Sequence, residues 1–157
     1  MVLSLTTANL PSPMELALDA AQSAADQGEV PVGAVLIDSR TGKAVSTTHN
    51  YVESWKDATA HAEMLAIQDA CQKLGATRLQ HCDLYVTLEP CPMCAGAISH
   101  ARIRKLVFGA YDPKSGGVEH GARVFEHPQA HHKPEVIGGV EETRCSHMLQ
   151  TFFQARR

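Results

Sequence analysis

The sequence has 157 residues, of which 44% are hydrophobic and 20% are charged, and this is the size and composition of one globular domain. No run approaches the eighteen or so uncharged apolar residues that a membrane span needs, so we predict a chain without a membrane segment. The formal net charge of −3 favours an enzyme acting on a small molecule over a nucleic-acid-binding protein, because phosphate contacts reward Lys and Arg.

The first thirteen residues are polar and have neither the charged start and apolar middle of a secretory signal nor the Arg-rich pattern of a transit peptide. We therefore expect a cytoplasmic protein. The chain has five cysteines, and an odd number in a chain of this kind argues against a disulfide framework. Metal binding or burial is the better interpretation of Cys71, Cys82, Cys91, Cys94 and Cys145.

The first half of the chain alternates helix and strand signals. The first helix has an apolar stripe, with Pro13 in its first turn and Gly28 as its stop. Two apolar runs separated by a turn then predict a hairpin. Thr59 is a candidate cap for the second helix. The predicted elements are a helix over 13–28, strands over 32–37 and 44–49, a polar loop over 51–59 and a helix over 61–74.

The second half continues the alternation and completes a sheet of five strands. Its predicted elements are a strand over 82–88, a helix over 92–100, a strand over 105–108, a glycine-rich loop over 112–121, a strand at 136–137 and a helix over 141–154. Strands that alternate with helices around one core predict an α/β fold: a three-layer α/β/α sandwich with helices on both faces of a mixed five-stranded sheet. No repeat or linker divides the chain, so we expect residues 1–157 to form one domain.

Two short segments contain a candidate metal site, Thr59-Ala-His61-Ala-Glu63 and Glu89-Pro-Cys91-Pro-Met-Cys94. Cys91 and Cys94 lie three positions apart on one face of a predicted helix, so both sulfurs can reach one ion. A Cys-x-x-Cys pair alone is ambiguous between a redox pair, a zinc site and coincidence, but His61 adds a third ligand. Three ligands of this type leave one tetrahedral position open, which is typical of catalytic rather than structural zinc.

Glu63 is the candidate base beside this metal. It lies two residues after His61, so on a helix it points beside the ion and not at it. This position suits a group that takes a proton from water, whose pKa zinc lowers, and returns it to the leaving group. The alternatives are that Glu63 is a solvated first-turn acid and that His61 is only a hydrogen-bonded histidine.

The remaining cysteines and most other histidines have no potential metal ligands at a suitable spacing. Cys71, Cys82 and Cys145 lie in apolar or strand contexts, and we predict that they are buried structural residues. Five histidines have no partners at ligand spacing and are predicted to be surface or core residues: His81, His100, His120, His127 and His147.

His-x-Glu followed by Pro-Cys-x-x-Cys is the signature of zinc-dependent nucleoside and nucleobase deaminases. Nearly the whole chain after Pro13 closely resembles the family of bacterial tRNA-specific adenosine deaminases. This resemblance implies a cytidine deaminase-like α/β/α fold, bound zinc, a homodimer, and deamination of the wobble adenosine of a tRNA anticodon loop to inosine. The segments that carry it are Glu29-Val-Pro-Val-Gly-Ala34, Asp57-Ala-Thr-Ala-His61-Ala-Glu63, Leu84-Tyr-Val-Thr-Leu-Glu-Pro-Cys91, Met93-Cys-Ala-Gly-Ala97, Phe108-Gly-Ala-Tyr-Asp-Pro-Lys114 and Phe152-Phe153.

The resemblance also implies roles for individual residues. The matching zinc ligands are His61, Cys91 and Cys94, and the matching proton shuttle is Glu63. Asn50 matches a residue that hydrogen-bonds the target nucleoside, with a turn Asn as the alternative. Asp112 matches a loop acid near the anticodon backbone, with a turn Asp before Pro113 as the alternative. Tyr111 stands where some members have Arg. Residues that lie where the family contacts flanking nucleotides are His131, His132 and the pair Phe152 and Phe153, although a helical aromatic pair is more often core.

Two other functions remain open on the sequence. The first is a free nucleobase or nucleotide deaminase of the same superfamily, of guanine or cytosine type, whose metal site would look alike. The negative net charge favours this alternative. Asn50, the Asp112 loop and the C-terminal helix favour the tRNA enzymes. The second is a structural zinc or RNA-binding module without activity, against which Glu63 argues. We expect no organic cofactor for any of these functions.

Overall fold

A mixed five-stranded sheet forms the middle layer of the molecule, as predicted. The computed structural model describes residues 10–157, so the first nine residues of the predicted polar N-terminus lie outside the described residues. The strand order is β2-β1-β3-β4-β5. β1 pairs antiparallel with both β2 and β3, and β3, β4 and β5 are parallel. The strands are β1 Gly33–Asp38, β2 Lys43–His49, β3 Cys82–Leu88, β4 Lys105–Ala110 and β5 Glu135–Ile137.

Helices cover both faces of this sheet. The helices are α1 Pro13–Asp26, α2 Val52–Trp55, α3 Ala62–Leu74, α4 Pro92–His100 and α5 Glu142–Gln154, with a 3₁₀ turn at Val124–Glu126. α1 and α5 pack on one face of the sheet, and α3 and α4 pack on the other. The predicted three-layer α/β/α arrangement is therefore confirmed. Between residues 10 and 157, none of the helices is long and apolar enough to cross a bilayer.

The core divides into two layers because side chains on β1 alternate between the two faces. Ala34 and Leu36 join the cluster under α3 and α4, whereas Val35 and Ile37 join the cluster under α1 and α5. α1 lies so close to β1 that a Cβ on Gly33 would stand 1.9 Å from the Ala17 carbonyl oxygen. Only glycine permits this approach.

Two local predictions are wrong, and both concern the connection between β2 and α3. The predicted polar loop contains the short helix α2. Thr59 does not cap α3, because its backbone N–H and hydroxyl both donate to Asp57 at 2.8 and 2.7 Å. The first free N–H of α3, at Ala62, instead donates to the Asn50 side chain. The acceptor that caps α3 is therefore twelve residues before Ala62, beyond the range of the sequence rules for helix caps.

One edge of the sheet gathers the segments that carry the candidate metal ligands, Glu63, Asn50 and Asp112. The parallel strands β3 and β4 both end there, at Leu88 and Ala110. β1 runs the other way and begins there, and β2 ends there at His49, next to Asn50. α3 and α4 start at the same edge. In such sheets, sites form at the carboxyl ends of the parallel strands.

Candidate metal centre and active-site pocket

The three candidate ligands stand at the starts of two helices. His61 is the N-cap residue of α3 and Cys91 is the N-cap residue of α4, and both have extended backbone dihedrals. Cys94 is the third residue of α4, whose first position is occupied by Pro92. The unpaired N–H groups of a helix N-terminus carry partial positive charge, so they favour a thiolate there.

The donor atoms lie at distances that suit one tetrahedral zinc ion. His61 Nδ1 is 3.6 Å from Cys91 Sγ and 3.5 Å from Cys94 Sγ, and all three atoms lie within 4.8 Å of one another. Typical Zn–N and Zn–S bonds at the tetrahedral angle place nitrogen and sulfur about 3.6 Å apart. The set therefore fits zinc, with one coordination position left for water or substrate.

The two thiols differ in how readily they ionise. A hydrogen bond from the Cys94 thiol, helped by His61, outweighs burial and lowers the pKa of Cys91 to about 4. The same hydrogen bond and burial raise the pKa of Cys94. Cysteine binds metal as thiolate. Cys91 is thus ready to bind a cation, and metal binding must displace the proton of Cys94.

Glu63 lies in the first turn of α3 with its carboxyl group beside the ligands. Only 4% of the residue is exposed, and it lines the same pocket as His61 and Cys91. Burial raises its pKa above the ordinary 4.5, although its own backbone N–H and the Cys94 thiol hydrogen-bond to it. The structure therefore excludes a solvated first-turn acid. A buried carboxyl group with a raised pKa is suited to exchanging protons.

The pocket has a volume of about 280 Å³, near the lower end of the range for small-molecule sites. Asn50 lines it and is buried. Its Oδ1 accepts the Ala62 N–H at 2.8 Å. Since this bond fixes the amide, the Nδ2 group is the part of Asn50 that is left to donate to a bound molecule. Asn50 is thus more than a turn residue.

Glu89 is a buried carboxylate to which the sequence interpretation gave no role. It is 2% exposed, lines the pocket and accepts the backbone N–H groups of Asp112, Val118, Glu119 and His120 at 3.0–3.2 Å. His120 Nδ1 also lies 2.8 Å from Glu89 Oε1. Burial raises the pKa of Glu89, but the bonds from His120 and the backbone outweigh it and lower the pKa. His120, predicted without a partner at ligand spacing, therefore contacts a carboxylate that lines the pocket.

Glu29 is a second buried carboxylate that the sequence interpretation missed. Its oxygens accept the backbone N–H groups of Glu53 and Ser54 at 2.9 and 2.7 Å, and the Ser54 hydroxyl donates to it as well. These bonds explain why α2 forms inside a polar stretch, since an anion stabilises a helix N-terminus. Glu29 and Glu89 share a signal in the sequence: each is a lone acid beside apolar residues and close to a proline.

The remaining predicted site residues are divided between the pocket and the surface. Asp112 lines the pocket, and its Oδ1 accepts the Ser115 N–H at 3.0 Å, so it also forms the turn that was its alternative reading. The structure does not bring His131, His132 and Phe153 into the pocket. His132 Nε2 contacts the Ile103 carbonyl at 2.8 Å, and 48% of Phe153 is exposed on α5.

The other predicted structural residues are mostly buried. Cys82 and Cys145 lie in the core as predicted, whereas Cys71 is only half-buried and packs against the edge of the core. Phe152 is buried, which agrees with a core role for this member of the aromatic pair. Tyr111 packs edge-on against Phe108, with ring centroids 5.1 Å apart.

Comparisons with known proteins show the family of this chain. The family model of the cytidine and deoxycytidylate deaminase zinc-binding region matches residues 9–110. The chain is 50% identical to the tRNA-specific adenosine deaminase of Agrobacterium fabrum, over 92% of this chain and 93% of that protein. It is 45% identical to the enzyme of the same name from Bacillus subtilis, over 92% and 88% of the two chains.

Solved structures share the fold of this chain, and one of them is also similar in sequence. A structure from studies of A-to-I editing by tRNA:A34 deaminases at the wobble position is 51% identical, with a TM-score of 0.84 over 87% of this chain and 98% of that one. A guanine deaminase from Nitrosomonas europaea has a TM-score of 0.77 over 91% and 85% of the chains. At 22% identity, that second likeness shows the shared fold alone.

Proposed function

Since this chain belongs to the cytidine and deoxycytidylate deaminase family, and within it to the tRNA-specific adenosine deaminases, we propose that it converts the wobble adenosine of a tRNA anticodon loop to inosine. The reaction consumes water and releases ammonia. The observation that carries this proposal is the His/Cys/Cys donor set with a buried carboxyl group beside it, in a chain half identical to such enzymes.

His61, Cys91 and Cys94 hold the zinc ion in this proposal. Zinc bound there supplies the Lewis acidity that makes hydroxide available from water near neutral pH. Glu63 accepts the proton of the attacking water and delivers it to the departing 6-amino nitrogen. The C6–N bond breaks and the nitrogen leaves as ammonia. C6 keeps the oxygen as a carbonyl group, and the second proton of the water ends on ring nitrogen N1. The burial of Glu63 beside the ligands supports this role, because bulk solvent is kept away from the carboxyl group and cannot compete with it for the proton.

Asn50 orients the target base by donating its Nδ2–H to an acceptor on the purine nucleoside. Its fixed amide and its place in the pocket support this role. The pocket volume of about 280 Å³ holds a single nucleoside and not a stretch of RNA. The adenosine must therefore leave its stack to enter, and a hairpin loop offers an unstacked base at low cost.

Contacts to the rest of the loop remain part of the proposal. Asp112 lines the pocket and is only half-buried, which supports a contact with the anticodon backbone. His131, His132 and Phe153 lie outside the pocket, so any contact they make is with nucleotides flanking the target. We also propose a homodimer in the cytoplasm, on the resemblance to the family. Light scattering of the purified protein would test the dimer, and a monomeric mass would contradict it.

The decisive experiment compares substrates with the same zinc-loaded protein. We expect inosine and ammonia from an anticodon stem-loop with adenosine at the wobble position. A stem-loop with that adenosine moved by one position serves as the control substrate, and the Glu63→Ala protein as the control enzyme. Ammonia released only from free guanine or cytosine would replace this proposal with a free-base deaminase. Tight RNA binding with zinc bound but no inosine would indicate a module without activity.

A further inference from the structure

Three aromatic rings form a stack that ends at the protein surface. We call His49, Tyr51 and Trp55 the aromatic ladder. The rings of His49 and Tyr51 are 4.2 Å apart with an interplanar angle of 21°, and those of Tyr51 and Trp55 are 4.6 Å apart at 20°. Both spacings are those of stacked rings. Trp55 is the last ring and 56% of it is exposed, so one face is covered by Tyr51 and the opposite face is open.

The ladder is held rigidly. The ring of His49 is buried, and its Nδ1 contacts the Asn50 carbonyl oxygen at 2.8 Å. Trp55 lies on α2, whose N-terminus is fixed by buried Glu29, and the backbone N–H of Trp55 donates to the backbone carbonyl of Tyr51 at 2.9 Å. Single exposed apolar side chains are ordinary on proteins. A fixed ring that ends a stack is different, because it binds a flat partner with little loss of conformational entropy.

The ladder stands between the active-site pocket and a wider cleft. Val52 and Glu53, on the same short helix, line the pocket with the metal ligands. The three ladder residues line a cleft of about 830 Å³ between α1 and α3, here called the wide cleft. Trp55 follows Val52 by one helical turn, which is about 5 Å. A nucleotide next to one bound in the pocket is therefore within reach of the Trp55 ring.

The lining of the wide cleft favours a base over a phosphate. Asp19 lines it and would repel an anion, whereas Asp69, which also lines it, is paired with Lys73 at 2.9 Å. Gln27, Gln68 and Gln72 line it too, and their amides can donate to and accept from the edge of a base. Flat rings with polar edges match both the open face of Trp55 and these amides.

We propose that Trp55 is a stacking platform for a nucleobase of the RNA substrate outside the target adenosine. This inference rests on the proposed function, since it takes the ligand in the pocket to be part of an RNA loop. The flanking base stacks on the open face of Trp55 and extends the ladder by one ring. The stack thereby holds the loop in the geometry that presents the target base to the pocket.

Trp55 is the one tryptophan in the chain, so its fluorescence reports on this place alone. We expect an anticodon stem-loop to quench the emission of zinc-loaded Glu63→Ala protein, which binds RNA without turnover. The quench should saturate together with RNA binding followed independently by anisotropy. A stem-loop with abasic nucleotides flanking the target should bind without the quench. Unchanged emission at saturating RNA would overturn the proposal.

Kinetics of the active protein provide a second test. We expect Trp55→Ala to raise KM for the stem-loop about 5- to 100-fold, with kcat unchanged, because base stacking contributes to binding. Trp55→Phe should retain most of the affinity, since it keeps a flat ring. Leu74→Ala, which also removes exposed apolar surface but at the far end of α3, serves as the matched control. An unchanged KM for Trp55→Ala would contradict the platform.

The outcomes separate this inference from the proposed function. If wild-type protein forms inosine while Trp55→Ala behaves as wild type, the platform fails and the function stands. If no inosine forms but RNA still quenches Trp55, the function fails and the platform stands. A Trp55→Ala protein of smaller mass by light scattering would assign Trp55 to a contact between subunits, and would overturn the platform.

Discussion

Two buried carboxylates line the same pocket and differ in what surrounds them. Glu63 and Glu89 are 4% and 2% exposed, yet the pKa of Glu63 is raised and that of Glu89 is lowered. Glu89 accepts four backbone N–H groups and contacts the His120 ring. Glu63 has its own backbone N–H and a thiol. Burial raises the pKa of both carboxyl groups. The hydrogen-bond donors around Glu89 outweigh this effect, whereas those around Glu63 do not.

The difference divides the pocket into a fixed wall and a reactive wall. Glu89 ties the glycine-rich loop after β4 to the end of β3, and the hydrogen bonds that do so lower its pKa. The loop packs so closely that a Cβ on Gly116 would stand 2.3 Å from Glu89 Oε2. Glu63 lies at the start of α3 and has fewer hydrogen-bond donors around it than Glu89 has. A site that transfers protons needs both kinds of group.

The largest expected effect separates the reactive wall from the fold. Glu63→Gln should lower turnover about 10²- to 10⁴-fold, because the amide cannot accept and return a proton. Zinc content and thermal stability should not fall, since the change removes a buried charge that has few donors. Single-turnover kinetics and metal analysis measure these quantities. Glu119→Gln, an exposed glutamate in the glycine-rich loop, is the matched control. Wild-type turnover in Glu63→Gln would remove Glu63 from the mechanism.

The converse change should mainly affect stability. Glu89→Gln should lower the free energy of unfolding by about 3 kcal/mol, because a neutral amide with two N–H groups of its own cannot satisfy five donors. Amide exchange in residues 112–120 should accelerate while zinc stays bound. Urea unfolding and hydrogen exchange measure the two effects. A loss of zinc with unchanged stability would place Glu89 with the metal site and not with the fixed wall.

A smaller effect should follow from removing the His120 side chain, which contacts Glu89. His120→Ala should cost about 1–2 kcal/mol of unfolding free energy, since the four backbone donors remain. In combination with Glu89→Gln, the loss should be less than the sum of the single losses, because the two residues share one interaction. His81→Ala, at an exposed position, is the control. Strictly additive losses would show that the 2.8 Å contact contributes nothing.

The smallest effect concerns acid. The pKa of Glu89 is lowered from its ordinary 4.5 in the folded protein, so its ionisation stabilises the fold above that pH. This contribution is lost as the pH falls through the folded pKa, below 4.5. The stability difference between wild type and Glu89→Gln should therefore be constant from pH 7 down to about 5 and shrink below it. A difference that grows in acid would contradict the lowered pKa.

Sequence alone gave a good account of the metal site and of the elements that carry it. The predicted strand over 82–88 and helix over 92–100 have the bounds seen in the structure. Cys91 and Cys94 are predictable because two ligands three residues apart at a helix start are a local pattern. His61 follows from the same kind of signal at the start of α3. Periodicity and caps are short-range properties, and this part of the fold depends on them.

The errors and omissions have a common physical cause, which is hydrogen bonding between distant segments. Thr59 was predicted to cap α3, but Asn50 does so from the end of β2. α2 forms because Glu29, more than twenty residues earlier, binds its N–H groups. Neither hydrogen bond can be predicted from residue spacing, because a buried polar side chain can bond any backbone N–H group that the fold brings to it.

The sequence by itself therefore determined the layers of the fold and the ligand set, since apolar spacing and ligand spacing are written in consecutive residues. The tertiary structure decided which acids are buried and with how many donors. It raised the pKa of Glu63 and gave Glu89 five hydrogen-bond donors, although both are glutamates near a candidate metal ligand. It also stacked Tyr51 and Trp55 into a ladder at the mouth of a second cleft. The reason is that the pKa of an acid and the stacking of an aromatic ring depend on neighbours in space, and these neighbours are set only when the chain folds.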